Sequence, residues 1–357
     1  MKKLYCGSIL ITFVSLVAVL LYFSPACAVE AKLSGQVNQL IMWADNGVDN
    51  DIFIGDNANS STRFRFTGSE EFNGVTAGIR IEFDVQRYPS STFDIPNTGD
   101  GDFNLSDRWF DATFAGAFGK VSLGKGDGAA NNSAEMDLSG TDVITYSSVT
   151  STAEGFTFIN KTTDLPSGTT VGDTRNNFDG LSRNSRLRYD TPKFAGFSFA
   201  GSFTNGNAME VSGWYTGEFD SFGKLTAALG YVDTNDRGTS EFKQWDGSVS
   251  WLAPFGLNVT LAVGQRDPDA AGSVKADNGY VKVGWKFGSI HAASVEYGQT
   301  KDLDLRGDKS TNYGLAYVVK PWKSVELYAA ARLYELNRSG ASLDDISQIM
   351  AGTRIKF

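Results

Sequence analysis

From Val75 to Gln86 apolar and polar residues alternate without a break. Val75, Ala77, Ile79, Ile81, Phe83 and Val85 fall on one side, and Thr76, Gly78, Arg80, Glu82, Asp84 and Gln86 on the other. Successive strand side chains point to opposite faces, so the stretch predicts a strand with one face for hydrocarbon and one for water. The same parity returns in Leu225, Ala227, Leu229 and Tyr231, in Leu257, Val259, Leu261 and Val263, and in Val325, Leu327, Ala329, Ala331 and Leu333. Beyond residue 30 there is no helical hydrophobic period of useful length. The pattern predicts sixteen strands, over 33–44, 60–69, 75–87, 104–115, 119–125, 183–190, 196–204, 211–219, 224–232, 241–251, 256–265, 277–286, 289–300, 310–320, 324–335 and 346–357. An even number is what closes an antiparallel barrel.

Alternation alone does not separate a membrane barrel from a soluble β-sandwich, but the connections do. Short and long connections take turns along the chain: Glu70 to Gly74 is short, Tyr88 to Phe103 long, Ala115 to Phe118 short, and Gly126 to Ser182 very long. Tight turns at one end and long loops at the other are a property of membrane barrels. The short turns share a chemistry, Phe118-Gly119, Phe222-Gly223, Phe255-Gly256 and Phe287-Gly288, with Phe72 before Gly74 and Trp322 after Pro321. Glycine suits the turn backbone, and a ring beside it suits a membrane–water boundary. The reading is all-β: a transmembrane antiparallel β-barrel of about sixteen strands.

Composition changes this picture only at the N-terminus. With 20% charged and 41% hydrophobic residues and a mean hydropathy of -0.21, the chain would otherwise pass for an ordinary soluble protein. Lys2 and Lys3, the apolar run Leu4 to Phe23 and the small residues of Pro25-Ala26-Cys27-Ala28 have the three-part layout of a secretory signal. It predicts a signal peptide over 1–28 and a barrel over 29–357. The alternatives are an uncleaved anchor or a lipidated Cys27, for which Ser24-Pro25-Ala26 lacks a leucine. Cys6 and Cys27 both lie in the segment to be removed, which leaves the mature chain no thiol for a disulfide or a metal. Loss of Lys2 and Lys3 takes the formal charge from -9 to about -11, which argues against a nucleic-acid partner.

Four segments, in order, resemble the Gram-negative general porins. Leu33-Ser34-Gly35-Gln36-Val37 is similar to that family's first strand. Phe118-Gly119-Lys120-Val121-Ser122-Leu123-Gly124-Lys125 resembles the strand that feeds its constriction loop. Asn184-Ser185-Arg186-Leu187-Arg188-Tyr189-Asp190-Thr191-Pro192-Lys193-Phe194-Ala195-Gly196-Phe197 resembles a strand-turn motif, and Arg354-Ile355-Lys356-Phe357 a closing strand whose terminal Phe357 is read by barrel-assembly machinery. The resemblance implies an outer-membrane homotrimer in contact with lipid and lipopolysaccharide, each barrel a water-filled channel for small hydrophilic solutes and ions. It also implies that the loop within 126–182 folds inward and narrows the pore. That connection is longer than a compact domain carries without a use for it, and Phe156 to Ile159 has room for an extra hairpin.

With the loop inside, its acids Asp127, Glu135, Asp137 and Asp142 are expected to face lumen cations chosen from Arg63, Arg65, Arg80, Lys120, Arg186 and Arg188. Opposed charges across a waist set up a transverse field that disfavours bulky apolar solutes. Lumen parity favours Arg63, Arg65 and Arg80, whose neighbours Phe64, Phe66, Ile79 and Ile81 suit lipid. The long loops are acidic, with Asp45, Asp49, Asp51, Asp56, Asp233, Asp236, Asp267 and Asp269. Such carboxylates bind calcium where ligand spacing allows and otherwise form a solvated, repulsive entrance; no other cofactor is expected. His291, the sole histidine, sits near a short turn with no nucleophile motif, so no catalytic residue is expected. Two alternatives stay open: a substrate-specific channel with Trp109, Trp214, Tyr328 and Tyr334 lining the lumen, and a plugged, adhesin-like surface barrel.

Overall fold

The computed structural model describes residues 30–95, 99, 101–235 and 241–357; the expected signal segment and Asp236 lie outside them. Nineteen strands form: β1 (Glu30–Asp45), β2 (Asn50–Asp56), β3 (Arg63–Phe72), β4 (Val75–Gln86), β5 (Asn104–Gly116), β6 (Gly119–Asp127), β7 (Thr157–Asn160), β8 (Leu165–Thr170), β9 (Arg183–Asp190), β10 (Phe197–Thr204), β11 (Met209–Phe219), β12 (Gly223–Asp233), β13 (Phe242–Leu252), β14 (Leu257–Pro268), β15 (Ala276–Phe287), β16 (His291–Lys301), β17 (Lys309–Trp322), β18 (Val325–Asn337) and β19 (Ile346–Lys356). Sixteen of them, β1, β3 to β6 and β9 to β19, run as one antiparallel meander. It closes where β19 pairs with β1 from Gln36↔Lys356 to Asp45↔Ser347, while β1 pairs with β3 from Glu30↔Ser69 to Gln36↔Arg63. Closure leaves no strand edge, and hydrocarbon tolerates none because it cannot hydrogen-bond free amides.

Leu229, Leu261 and Val263, which the alternation assigned to lipid, are exposed on the outer wall, and Val295, Leu315 and Ile349 are exposed with them. The rings of the short turns, Phe118, Phe222, Phe255, Phe287 and Trp322, are exposed at one rim. Polar handles fix several neighbours there, Trp251 Nε1 donating to the Phe222 carbonyl at 2.7 Å and Tyr189 Oη to the Phe118 carbonyl at 2.7 Å. Amphipathic rings belong at such a boundary.

Two features depart from the simple alternation. The second strand is broken: β2 pairs with the upper half of β1 from Asn50↔Asp45 to Asp56↔Gln39, and β3 takes over at Arg63↔Gln36. Residues 57–62 therefore oppose only Val37 and Asn38, and the surplus folds into the lumen. Asn57 Nδ2 there donates to the Val143 carbonyl at 3.1 Å and to Tyr328 Oη at 3.0 Å. Asp56 pins the excursion by accepting from Gln39 Nε2 at 2.6 Å, Thr62 Oγ1 at 2.8 Å and the Arg87 amide at 2.8 Å. It is a buried brace and not the solvated loop charge expected from the sequence. Second, β7 and β8 form a hairpin inside the long connection, where Phe156 to Ile159 left room for one. Its base carries Phe156 and Phe158 into the main apolar cluster, with Leu40, Met42, Phe53, Phe93, Ile144, Tyr334 and Met350. The core of the molecule thus lies inside the barrel, between the loop and the inner faces of β18, β19 and β1.

At the short-turn rim Phe357 completes the seam. Its amide donates to the Gly35 carbonyl at 3.0 Å, the Gly35 amide donates back at 2.9 Å, and its ring covers Gly35 so closely that a Cβ there would sit 2.5 Å from it. Gly35→Val is expected to displace that ring and cost about 1–3 kcal/mol. The readout is a lower temperature for loss of the compact, fast-migrating barrel in unheated detergent gels.

Candidate functional site: the lumen and its inward loop

Residues 128–182 leave β6, run along the inner wall and return to β9. Every loop amide taken from water needs a new partner, and the wall supplies hydroxyls at inward positions. Ser202 Oγ accepts from the Ala129 amide at 2.9 Å, Ser248 Oγ from Met136 at 2.9 Å and Ser250 Oγ from Leu138 at 2.9 Å. Gly230 leaves the space in which Ser133 packs, since a Cβ there would run into Ser133 Oγ. Farther round, charged groups take over. Lys282, with no exposed side-chain surface, pairs with Asp137 and donates to the Thr145 carbonyl at 2.7 Å. Arg332 pairs with Glu296 at 2.8 Å and donates to the Ile144 carbonyl at 3.1 Å and Thr152 Oγ1 at 2.8 Å. On the returning leg Arg175 donates to Thr300 Oγ1 at 2.9 Å and Asn312 Oδ1 at 2.6 Å.

The wall of β3 to β5 carries a different set. Arg63 and Arg65 of β3, Arg80 of β4 and Arg108 of β5 point into the lumen around two acids. Glu82 accepts from Arg65, from Arg80 at 2.7 Å and from Arg108 Nε at 2.9 Å, while Asp84 accepts from Arg108 at 2.9 Å. Arg80 stacks 3.8 Å from the centre of the Trp109 ring, a favourable placement for a guanidinium. Arg108 reaches the lumen through a bulge: Glu82 faces Trp109 and Phe83 faces Asp107, which leaves Arg108 unmatched. A bulge shifts strand parity by one, so Arg108 turns inward beside Trp109. The sequence signal is the change from Leu105 outward to Phe110 outward.

Two cavities meet at Asn131 and Asn132 of the loop. One, of about 440 Å³, opens toward the short turns and is lined by Trp109, Trp214, Arg188, Asp190 and Lys193. The other, of about 430 Å³, opens toward the long loops and is lined by Glu135, Tyr146, Asn176, Asp179, Phe242 and Arg266.

Over residues 15–339 the chain matches the sequence profile of the Gram-negative porins. It belongs to that family. No curated protein sequence matches it. Solved structures share the fold. An anion-selective porin from Comamonas acidovorans superposes with a TM-score of 0.63 at 16% identity, covering 92% of this chain and 100% of that one. The trimer form of OmpT, an outer membrane protein of Vibrio cholerae, gives 0.59 at 13% identity over 93% and 100%. The outer membrane channel DcaP of Acinetobacter baumannii gives 0.54 at 13% identity over 94% and 99%. The protein is thus an outer-membrane porin, a barrel for passive diffusion of small hydrophilic solutes.

Within this porin the charges named from the sequence divide into groups. Arg63, Arg65 and Arg80 come together as one cationic wall, joined by Arg108. Arg186 does not join them: buried, it pairs with Asp111 at 2.9 Å and caps the Gly124 and Asp127 carbonyls at 2.8 and 2.9 Å. Arg188 pairs with Asp190 at 2.7 Å and holds the Gly128 carbonyl at 2.6 Å, fastening the start of the loop. Lys120 lies 3.7 Å from Asp190. Among the acids, Asp127 pairs at 3.1 Å with Arg183, its cross-strand partner on β9, on the same wall as Arg80. Glu135 accepts from Asn177 at 2.9 Å on the long-loop side. Asp137 faces away from the arginine wall, spent on Lys282, because the loop lies flat against β13 to β15. Asp142 is exposed below the loop and acts on Lys286 of β15.

Trp109, Trp214, Tyr328 and Tyr334 all face inward, but only the tryptophans line open space. Tyr328 is bonded to Asn38 at 2.7 Å and Tyr334 to the Val149 carbonyl at 2.7 Å, filling the seam between wall and loop. The acids of the long loops are mostly occupied locally: Asp45 accepts from the Gly47 amide at 2.8 Å, Asp233 from Asn235 at 3.2 Å, and Asp267 pairs with Lys275 at 2.7 Å. Among the described residues no group of three or more acids, histidines or cysteines has metal-binding geometry. Lys282, Arg332, Arg175 and Asp179 were not legible as loop anchors, since each looks in sequence like any other lumen charge.

Two predictions concern the loop. Asp137→Asn strips Lys282 of its counter-charge, an expected cost of about 3–5 kcal/mol. It should show as earlier denaturant unfolding and noisier open-channel current, with most of the stability restored in the Asp137→Leu, Lys282→Met double variant. The second is a pH dependence. Asp179 accepts from the Asn132 and Ala134 amides at 2.7 and 2.9 Å. Burial pushes Asp179 up to about 7, and burial beside Asp179 pushes Glu135 well above the usual carboxylate range. The attached loop therefore holds protons that a detached loop releases, so attachment weakens as pH rises from the ordinary carboxylate range through about 7. Current noise should grow from pH 5 to pH 8, and Asp179→Asn should flatten that rise.

Proposed function

We propose that this porin is a general-diffusion channel whose waist favours small anions, that it works as a homotrimer, and that it performs no catalysis. The observation that carries the anion preference is the wall of Arg63, Arg65, Arg80 and Arg108, four guanidiniums around the two carboxylates Glu82 and Asp84. The loop acids offset little of it, because Asp127 is neutralised by Arg183 and Asp137 by Lys282. A low-dielectric wall of one sign raises the local concentration of the opposite ion. A structural neighbour is itself an anion-selective porin, and another was determined in a trimer form.

A passive role fits the surroundings of His291. Its Nδ1 shares a 2.6 Å hydrogen bond with Tyr317 Oη, and its ring stacks on Phe287 at 5.3 Å, within the aromatic rim. Such a histidine anchors the boundary. Phe357 is read as the assembly signal, presented at the closing seam beside Gly35.

The test is the reversal potential of single channels under a potassium chloride gradient. Chloride should be preferred in dilute salt and less so near 1 M, where the screening length falls to about 3 Å. Replacing Arg63, Arg65 and Arg80 together by Gln should move the potential toward cation preference. A wild-type channel that prefers potassium would reject the reading.

A further inference from the structure

Arg266 stands apart from the arginine wall, on the inner face of β14 near the long-loop end. Its Nε donates to Gln244 Oε1 at 2.9 Å, and Gln244 donates in turn to the carbonyls of Phe178 and, at 3.2 Å, Gly180 on the returning leg of the loop. Its guanidinium carbon lies 5.0 Å from the centre of the Phe178 ring and 4.4 Å from that of Phe242. Among the described residues no carboxylate pairs with it, and its two terminal nitrogens take no hydrogen bond. Arg108, Arg186, Arg188 and Arg332 are paired with acids and Arg175 is held by Thr300 and Asn312, while Arg63, also without an acid of its own, belongs to the wall around Glu82 and Asp84. A mostly buried cation left without a counter-charge needs a reason.

The setting of this guanidinium is built at a cost. Phe178 holds its ring in place with φ 58°, a left-handed conformation that a bulky residue seldom adopts. Arg266 and Phe242 form one side of the 430 Å³ cavity, whose size suits a small organic solute. The rest of the lining brings neutral groups that both give and take hydrogen bonds, Asn131, Asn132, Asn176, Tyr146 and Ser148, and across the cavity the carboxyls of Glu135 and Asp179, so that a ligand's single negative charge must sit at Arg266. Arg183 at the same cavity is already neutralised by Asp127, so Arg266 is the cation left to meet a ligand.

We propose that this cavity is a docking station for a small hydroxylated carboxylate on its way to the waist, such as a sugar acid. The carboxylate takes the two free terminal nitrogens of Arg266 in the side-by-side geometry that guanidinium favours. The hydroxyls meet the amides and Ser148, and an apolar face of the solute lies on Phe242. A phosphate dianion fits less well, since it brings more charge than one guanidinium offsets and faces Glu135 and Asp179 across the cavity. The station rests on the channel reading above, because only a conducting lumen delivers a solute to it.

The experiment uses the full porin in a planar bilayer, with glucuronate or its neutral amide, glucuronamide, added on the long-loop side. Glucuronate should reduce the open-channel current in a saturable way, and glucuronamide of nearly the same shape should not. Arg266→Gln, checked for the compact barrel in unheated detergent gels, should raise the half-blocking concentration about tenfold, the effect of losing one charged hydrogen-bonding partner. Arg266→Lys, which keeps charge but not the fork, should fall between. Equal block by both sugars, or block unchanged in Arg266→Gln, overturns the station while leaving the channel intact. The comparison of the two sugars on the wild type decides the matter even if a variant does not fold. A wild-type barrel that conducts nothing overturns the channel reading and the station with it.

Discussion

Everything in this molecule depends on pairing each backbone amide in a solvent that offers it no partner. In hydrocarbon the chain satisfies its donors only by closing the sheet, and closure here is a single seam, β1 against β19. That seam explains features that look unrelated in sequence. Gly35 is small because Phe357 lies across it, and Tyr328 is buried because Asn38, beside the seam, needs its hydroxyl. The inward excursion at 57–62 stays bonded because Asp56 collects its loose donors.

The inner surface faces the opposite problem. Water could fill the whole lumen, yet the long loop occupies much of it, and its amides must be compensated in turn. Serines and threonines on β10 to β16 do so at little cost, being small enough to let the loop lie flat. Arginine and lysine act where several carbonyls converge, as Arg332 does for Ile144 and Val149. The loop is therefore part of the wall along one arc of the barrel, with an apolar core between. What is left open is the strip between the loop and β3 to β5, and it inherits the charge of that wall.

Charged residues thus play two roles in one lumen, and the partner decides which. Arg186 and Arg63 are both arginines at inward positions of one wall, on β9 and β3 with three strands between them. Arg186 is enclosed by Asp111 and two carbonyls, whereas Arg63 reaches only Ser60 at 3.4 Å. One stabilises the root of the loop; the other leaves its charge to the pore.

By itself the sequence determined the class of fold, the number of barrel strands, the orientation of the aromatic rim and the existence of a long inward-folding loop. The first three and the length of that loop follow from local rules, strand parity, turn length or the preference of rings for an interface, while its inward course was implied only by the resemblance to the porins. Arg63, Arg65 and Arg80 were legible as lumen residues for the same reason. Tertiary structure alone decided which charges remain free. The bulge at Arg108 turns on one unmatched residue, and Asp137 is spent on a lysine 145 residues away along the chain. The break in the second strand depends on pairing with β1. Whether a carboxylate or guanidinium serves the pore or the scaffold depends on what packs against it, and the strands and loop meet there only once the barrel is closed.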